Sequence, residues 1–380
     1  MKKIAVILGT RPEAIKLAPL IILLKNDNGF ECEVCSTGQH KEMLNQVLQV
    51  FDLKIDFELS LMSHNQTLSQ FTAKAIVAID EYFDQNKPDC IIVQGDTTSV
   101  FVASLVAFYK KIPIVHIEAG LRSGDNYAPF PEEINRKFAS LVATLHFAPT
   151  NRSVKNLLND GVDSEKIFLS GNTVIDSLRI GMEIVDKSNL KIENILPSGV
   201  DLEKRIVLVT GHRRENFGKG FESICNAIQR LAIQFPEVNF VFPVHLNPNV
   251  QEPVLRILGS EGCENIHLLS PQSYLPFLLL MRSSYLILTD SGGVQEEAPS
   301  LGIPVLVMRE VTERPEGVES GNVLLIGSNE ERIVEEVSIL LNNSKKYFDM
   351  AKISNVYGEG KSSEYILRII KSYFSNSYGN

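Results

Sequence analysis

The sequence has 380 residues, of which 44% are hydrophobic and 22% charged, and its formal net charge is -9. These values are typical of a water-soluble globular protein and exclude a collagen-like or disordered chain. The acidic balance argues against general binding to nucleic-acid phosphates, so we expect no nucleic-acid partner. The length predicts two domains of ordinary size.

The first apolar run and the cysteines indicate where the protein works. Arg11, Glu13 and Lys16 interrupt that run, which argues against a signal peptide. No later stretch has about 18 uncharged apolar residues, so we expect no membrane partner. The five cysteines are an odd number, which fits a reducing compartment, and we expect a cytoplasmic protein. Cys32 and Cys35 form a lone CxxC within a predicted strand, so we expect no metal site.

Short β-branched runs alternate with helical patterns along the chain. The strands predicted in the first half are KIAVILG, ECEVCSTG, DCIIVQGD and IPIVHIEAG, and those in the second half are RIVLVTGH, NFVFPVHLN, NIHLLS, YLILTDSGG and IPVLVMRE. This alternation predicts an α/β fold with two Rossmann-like, doubly wound domains. We place the N-terminal domain at residues 1–172 and the C-terminal domain at residues 173–360, followed by an amphipathic helix at 361–376.

Polar residues follow several predicted strands of the first half. Ligands of open α/β sheets bind beyond the carboxyl ends of the strands, so these residues are the candidates for a site. Arg11 and Lys16 lie where they would meet a diphosphate near a helix N-terminus. Asp96, Glu118 and Glu132 follow later strands. One such acid is usually a helix cap, but three on one edge suit proton transfer.

The second half carries a histidine and two arginines after its first strand. His212, Arg213 and Arg214 are expected at a ligand-facing turn, and a solvated basic loop is the simpler alternative. His245 follows the next strand, where an isolated histidine is more often structural.

A glycine turn follows the fourth strand of the second half. At Ser291, Gly292 and Gly293 the backbone N–H groups can approach a phosphate closely. Glu297 lies one helical turn further, within reach of a ribose, so the motif indicates a nucleotide site. A plain strand–turn–helix is the alternative if the motif is taken alone.

Seven motifs occur in order between Gly9 and about Gly321: GTRPEAIKLAP, QGDT, HIEAGLRSG, PFPEEINR, TGHRRENFG, TDSGGVQEEAPSLGIPVLVMR and TERPE. Together they closely resemble the non-hydrolysing UDP-N-acetylglucosamine 2-epimerases of bacteria. The resemblance implies a glycosyltransferase-B-like pair of domains with the substrate cleft between them and the C-terminal helix packed back on the N-terminal domain. It also implies a homodimer that closes over a UDP-sugar and needs no cofactor.

The implied reaction is the reversible C2 epimerisation of UDP-N-acetylglucosamine to UDP-N-acetylmannosamine, which supplies a precursor of bacterial surface polysaccharide. UDP is eliminated to give 2-acetamidoglucal and is then added again. The resemblance assigns catalysis to Asp96, Glu118, Glu132 and His212, and which acid removes the C2 proton stays open. It assigns binding of the UDP-sugar to a larger set: Arg11, Lys16, Arg136, Arg213, Arg214, His245, Phe277, Ser291, Gly292, Gly293, Glu297 and Arg314.

One part of the sequence departs from the family pattern. Many bacterial members are activated by their own substrate at a second site, for which Gln39 and His40 are the candidates here. Glu42 stands where a second glutamine is expected and Asn65 where an arginine is expected. Substrate activation is therefore left open.

Two other functions are compatible with the nucleotide motif. One is a glycosyltransferase-B enzyme that transfers the sugar to an acceptor, and the other is a non-catalytic protein that binds a nucleotide sugar. Neither requires three acids on one edge, which favours the epimerase.

Overall fold

The computed structural model describes residues 1–38, 41–63, 65–259 and 264–376. The chain forms two compact units, which we call the first unit (Met1–Ile180 with Tyr357–Asn380) and the second unit (Gly181–Val356). The division after Ile180 lies within a helix, later in the chain than the boundary expected at residue 172. Each unit contains one parallel sheet with helices, so the predicted α/β class with two Rossmann-like domains is confirmed.

The first unit alternates strands and helices from its first residues. Its elements up to the division are β1 (Lys2–Leu8), α1 (Arg11–Lys25), β2 (Phe30–Ser36), α2 (Lys41–Val50), β3 (Phe57–Glu58), α3 (Leu68–Asn86), β4 (Cys90–Gln94), α4 (Thr98–Tyr109), β5 (Ile114–Ile117), α5 (Glu132–Val142), β6 (Leu145–Ala148), α6 (Asn151–Asn159), β7 (Ile167–Leu169) and α7 (Thr173–Lys187).

The first sheet has the strand order β3-β2-β1-β4-β5-β6-β7, with all pairs parallel. Its central strands are largely apolar, and in β1 Ile4 to Leu8 are fully buried, because helices cover both faces of such a sheet. The direction in which strands are added reverses between β1 and β4. This reversal is the place where ligands of doubly wound folds bind.

The second unit repeats the plan with six strands. Its elements are β8 (Arg205–Thr210), α8 (Lys219–Gln234), β9 (Val238–Pro243), α9 (Pro248–Leu258), β10 (Ile266–Leu269), α10 (Tyr274–Arg282), β11 (Leu286–Thr289), α11 (Gly292–Glu297), β12 (Val305–Val307), α12 (Pro315–Glu319), β13 (Val323–Leu325), α13 (Glu330–Asn342) and α14 (Ser344–Met350). The sheet order is β10-β9-β8-β11-β12-β13, so its reversal lies between β8 and β11.

The last helix, α15 (Ser362–Asn376), belongs to the first unit and contacts α1. Ile366 and Ile370 are fully buried on it, and the ring of Phe374 lies 6.0 Å from that of Phe30. None of the described helices combines the length and apolarity that crossing a bilayer requires.

Candidate active site

The carboxylate of Glu118 is the centre of a buried cluster in the first unit. Its Oε1 accepts hydrogen bonds from the ammonium of Lys16 and, at 2.9 Å, from the amide of Asn172, while its Oε2 accepts from the amide of Gln94. Glu118 directly follows β5 and has a φ of +60°, a left-handed conformation that is uncommon outside glycine. The three donors come from α1, β4 and the turn after β7. The strand ends therefore converge on one carboxylate.

A second ion pair links Asp96, in the turn after β4, to Arg136 of α5. Arg136 is buried and also donates to Glu133 at 3.2 Å, and the amide of Asn135 holds the carbonyl of Asp96 at 2.9 Å. Glu132, which the sequence predicts to act in catalysis, is only half-buried, whereas its neighbour Glu133 is fully buried. Adjacent glutamates at a helix start give no sequence signal that separates these two environments.

Glu13 was missed as a site-building residue. Its carboxylate accepts from the backbone N–H groups of Gly9 and Thr10 at 2.8 and 2.7 Å and from the hydroxyl of Thr97 at 2.6 Å. Burial raises the pKa of Glu13, and these hydrogen bonds oppose that rise. Glu13 therefore ties the turn after β1, where half-buried Arg11 lies, to the turn after β4. The signal was the capping pattern of TRPE, which α1 uses at its start.

In the second unit the buried carboxylate of Asp290 organises the turn after β8. It accepts the backbone N–H groups of His212 and Arg213, each at 2.9 Å, and lies 3.4 Å from Nδ1 of the His212 ring. The rings of His212 and His245 stack with centroids 5.6 Å apart. Loss of hydration lowers the pKa of His212, Asp290 opposes this, and the charges of Arg213 and His245 add to the lowering. The two candidate histidines are therefore neighbours.

The glycine turn after β11 packs against an arginine. A side-chain carbon at Gly292 would lie 2.7 Å from the Nη1 of Arg314, whereas one at Gly293 would meet only the Glu297 carboxylate, at an ordinary 3.7 Å. Arg314 is buried and donates to Glu296 at 2.6 Å. The absence of a side chain at residue 292 thus lets a guanidinium lie directly beside the turn.

Glu313 was not a sequence candidate, yet it binds the guanidinium groups of Arg309 and Arg314. Burial alone would raise the pKa of Glu313, but these two positive charges bring it well below its ordinary value. The acid therefore stays ionised and fixes Arg314 beside the glycine turn.

The remaining candidates of the second unit differ in how deeply they are buried. Glu297 is buried and accepts from the hydroxyl of Tyr274 at 3.4 Å. Phe277 on α10 and Ser291 before α11 are half-buried, and Arg214 is exposed. Gln39 and His40 lie outside the described residues. Among the described residues, no group of three His, Cys, Asp or Glu side chains is arranged to hold a metal ion.

Acids with basic partners at one sheet edge, and a glycine turn with an arginine and a carboxylate at another, define a Rossmann-like α/β enzyme of the kind that handles nucleotide sugars. The family model described as UDP-N-acetylglucosamine 2-epimerase matches residues 23–371. The chain belongs to this family, whose activity is that of an isomerase.

Individual relatives agree over nearly the whole chain. The UDP-N-acetylglucosamine 2-epimerase of Yersinia pestis is 50% identical over 374 residues, covering 98% of this chain and 99% of the relative. The structure of the Neisseria meningitidis UDP-GlcNAc 2-epimerase bound to UDP-GlcNAc has a TM-score of 0.93 at 46% identity, covering 98% of this chain and 100% of that chain. Acinetobacter baumannii MurG covers 98% of this chain and 100% of its own at 13% identity, and its TM-score of 0.61 shows a shared fold alone.

Proposed function

We propose that this protein interconverts UDP-N-acetylglucosamine and UDP-N-acetylmannosamine by inverting C2 of the sugar, and that the product feeds a bacterial surface polysaccharide. The observation that carries the proposal is the match, over 98% of the chain, to a relative that was solved with UDP-GlcNAc bound.

The chemistry explains why so many ionisable groups are needed. C2 does not neighbour a carbonyl, so its proton cannot simply be removed and returned. A base takes the C2 proton, the C–H electrons form the C1–C2 double bond, and the C1–O bond breaks with its electrons remaining on UDP. In the return step UDP oxygen bonds to C1, and an acid delivers a proton to the opposite face of C2. Positioned acid and base groups accelerate both steps.

In the first unit we assign proton transfer to Asp96, Glu118 and Glu132. Lys16 and Arg136 support this assignment, because each places a positive charge against one of the acids. A carboxylate held by such a cation has a fixed position, as a group that transfers a proton to or from C2 requires. Arg11 and Lys16 are assigned to the substrate side of the same edge.

In the second unit we assign binding of the departing UDP to the glycine turn and the arginines. Negative charge develops on the diphosphate as the C1–O bond breaks, and fixed donors that face it lower the barrier. Glu297 takes the ribose and Phe277 the uracil, while His212 contributes to proton transfer. The binding set is completed by Arg213, Arg214, His245, Ser291, Gly292, Gly293 and Arg314.

The test of the reaction is to incubate the protein with UDP-N-acetylglucosamine in D₂O and to follow C2 by NMR. Epimerisation predicts deuterium at C2 and the appearance of UDP-N-acetylmannosamine. An unchanged sugar that carries no label would refute the proposal.

The roles are tested with two substitutions and one matched control. Asp96→Asn is expected to abolish exchange at C2 with little change in UDP affinity, and Glu297→Ala to weaken UDP binding. Asp89→Asn is the control, because Asp89 precedes the same strand that Asp96 follows and pairs with Lys2 at 2.8 Å. Loss of exchange in Asp89→Asn would contradict the assignment. So would weaker UDP binding in Asp96→Asn together with loss of exchange, but unchanged UDP binding, in Glu297→Ala.

We also propose that the protein is a homodimer through the face of α3, α4 and α5, which pack against one another in that order. Large apolar side chains on these helices are exposed: Val77 is 58%, Phe108 56%, Tyr109 66% and Leu141 79% accessible. Apolar surface of this kind marks protein contacts. Leu141→Glu with Phe108→Lys is expected to give a monomer in sedimentation experiments. A dimer that persists at micromolar concentration would rule out this face.

Finally, we propose a cytoplasmic location. Its support is that Cys32, Cys35, Cys90 and Cys225 are free thiols, as is usual in a reducing compartment. Fractionation of cells that express the protein tests this directly.

A further inference from the structure

Asn172 contacts the proposed acid–base residue Glu118, and neither the motifs nor the family resemblance gave it a role. The asparagine is buried, and its Nδ2 donates to Oε1 of Glu118 at 2.9 Å. The same carboxylate is held by Lys16 from α1 and by the neutral amide of Gln94 from β4. Lys16 is thus the charged group that the described contacts place on this carboxylate, and Asn172 adds a neutral donor.

The orientation of the Asn172 amide follows from its other contact. Its Oδ1 accepts the backbone N–H of Val174 at 3.0 Å. Because an asparagine amide has one oxygen and one NH₂ group, this contact leaves the NH₂ group to face Glu118. The amide therefore acts on Glu118 as a donor in a fixed direction.

The turn that carries Asn172 is held by the C-terminal part of the chain. The backbone N–H of Asn172 donates to the carbonyl of Tyr357 at 2.7 Å. Gly171 has a φ of +78°, and a side-chain carbon there would lie 2.7 Å from Oγ of Ser362. The backbone N–H groups of Ser362 and Ser363 in turn donate to the buried Asp176, at 3.2 and 2.8 Å.

We propose that Asn172 is a positioning residue for the epimerisation, and that residues 357–363 hold it in place. It directs the Glu118 carboxylate towards the reacting C2 centre. The inference rests on the proposed function of Glu118. Such help is needed because Glu118 has a left-handed backbone conformation, which is strained outside glycine and persists only when its surroundings fix it. Misplacing a reacting group by about 1 Å costs on the order of 100-fold in rate.

Two substitutions at residue 172 separate orientation from folding. Asn172→Ala removes both side-chain contacts. Asn172→Asp keeps an oxygen for Val174 but replaces the donor with a carboxylate oxygen that repels Glu118. We expect kcat for C2 exchange to fall about 10-fold to 100-fold in both, with Asn172→Asp the slower at pH 8. UDP affinity is expected to change less than about twofold, because the contact affects positioning of the reacting group.

The pH dependence of Asn172→Asp is the readout that a purely structural role would not produce. When its new carboxyl is protonated it can again donate to Glu118, as the amide did. The ratio of variant to wild-type kcat is therefore expected to rise as the pH falls from 8 to 5.5, whereas the ratio for Asn172→Ala stays flat. Gly171→Ala displaces the turn without changing a residue that contacts Glu118. It is expected to lower kcat for C2 exchange, as the Asn172 variants do.

The matched control is Asn86→Asp at the end of α3, where the amide donates to the carbonyl of Tyr82 at 3.0 Å. It makes the same chemical change away from Glu118, so melting temperature should fall without loss of kcat. Equal losses of kcat and UDP affinity at residues 86 and 172 would overturn the inference, as would full activity of the Asn172 variants. Glu118→Gln separates the two hypotheses. If it leaves exchange intact, the role of Glu118 fails. If it abolishes exchange while the Asn172 variants keep the wild-type kcat, the role of Asn172 fails.

Discussion

The carboxylate of Asp290 contacts His212 twice, because it accepts the backbone N–H at 2.9 Å and lies 3.4 Å from Nδ1 of the ring. The backbone contact sets where the residue lies, and the ring contact sets which way the imidazole faces. Loss of hydration lowers the pKa of His212 while the charge of Asp290 raises it. The turn therefore holds a histidine whose proton affinity depends on two opposed influences.

Substitutions of Asp290 and of His245 are expected to shift the pKa of His212 in opposite directions. Asp290→Asn removes the counter-charge, so the pKa of His212 should fall further. His245→Gln removes a group whose charge lowers that pKa, so the pKa should rise. The measurement is the ring Cε1–H shift in NMR as a function of pH. A shift of the same sign in both variants would contradict this account of the turn.

Gly292→Ala and Gly293→Ala form a matched pair in the glycine turn. The new carbon at residue 292 would lie 2.7 Å from the Arg314 guanidinium, whereas the one at residue 293 has ordinary clearance. Gly292→Ala is expected to cost about 1 to 3 kcal/mol of stability without ligand, as overpacking does, and Gly293→Ala much less. Both should weaken UDP binding if their N–H groups approach the diphosphate. Thermal unfolding with and without UDP makes the comparison, and a stable Gly292→Ala protein would argue against close packing.

His116 is expected to make stability depend on pH. It is fully buried, its Nε2 lies 2.8 Å from the carbonyl of Gly95, and burial lowers its pKa to about 3. Above pH 6.5 the histidine is neutral in both states and contributes no slope. Between pH 6.5 and about 3 the unfolded chain binds the proton more readily. The free energy of unfolding therefore decreases as the pH is lowered, by up to about 1.4 kcal/mol per pH unit.

His116→Gln is the companion variant, because it can donate to the Gly95 carbonyl but does not titrate. Its urea unfolding should be less sensitive to pH than that of the wild type between pH 6.5 and 5. Equal slopes for the two proteins would show that His116 is not the group responsible.

Glu313→Gln is expected to destabilise the second unit. The substitution removes one of the negative charges that face buried Arg309 and Arg314, while Glu215 and Glu296 stay paired with them. Losing such a charged hydrogen-bond partner costs about 1 to 3 kcal/mol. Since the folded-state pKa of Glu313 is lowered, its contribution is present above the unfolded value near 4.5 and is lost as the pH falls further. The difference in unfolding free energy from the wild type should therefore shrink at pH 4. Exposed Glu310 supplies the control substitution, which should have little effect at either pH.

Much of the fold could be predicted, because a parallel sheet requires continuous apolar strands and these repeat visibly along the chain. The helix predicted at residues 361–376 corresponds to Ser362–Asn376. Strands β3, β6, β7 and β13 were not predicted, and each has only two to four residues. Strands β5 and β12 are as short but were predicted, because each lies in a longer apolar run, IPIVHI and IPVLVM. Short strands are defined by the neighbours that they pair with.

Site residues could be predicted where they follow the ends of predicted strands. They could not be predicted where tertiary packing decides which of several similar side chains is buried. Asp96 and Glu118 lie within two residues of a strand end, so topology brings them to one edge. Asn172 lies after β7, a strand that the sequence does not reveal, and its contact with Glu118 spans distant parts of the chain. The buried state of Glu133 beside half-buried Glu132 depends on the direction of α5. No local pattern sets that direction.

Helix α15 completes the first unit from the far end of the chain, with Ile366 and Ile370 buried. During synthesis the ribosome releases residues 1–180, then all of the second unit, and only afterwards the residues that cover α1. The apolar surface of α1 therefore stays uncovered until residues 357–380 have been made. The second unit is continuous in sequence, so its whole chain is available before that of the first unit. A chaperone that shields α1 during this interval would affect the yield of folded protein more than its final stability.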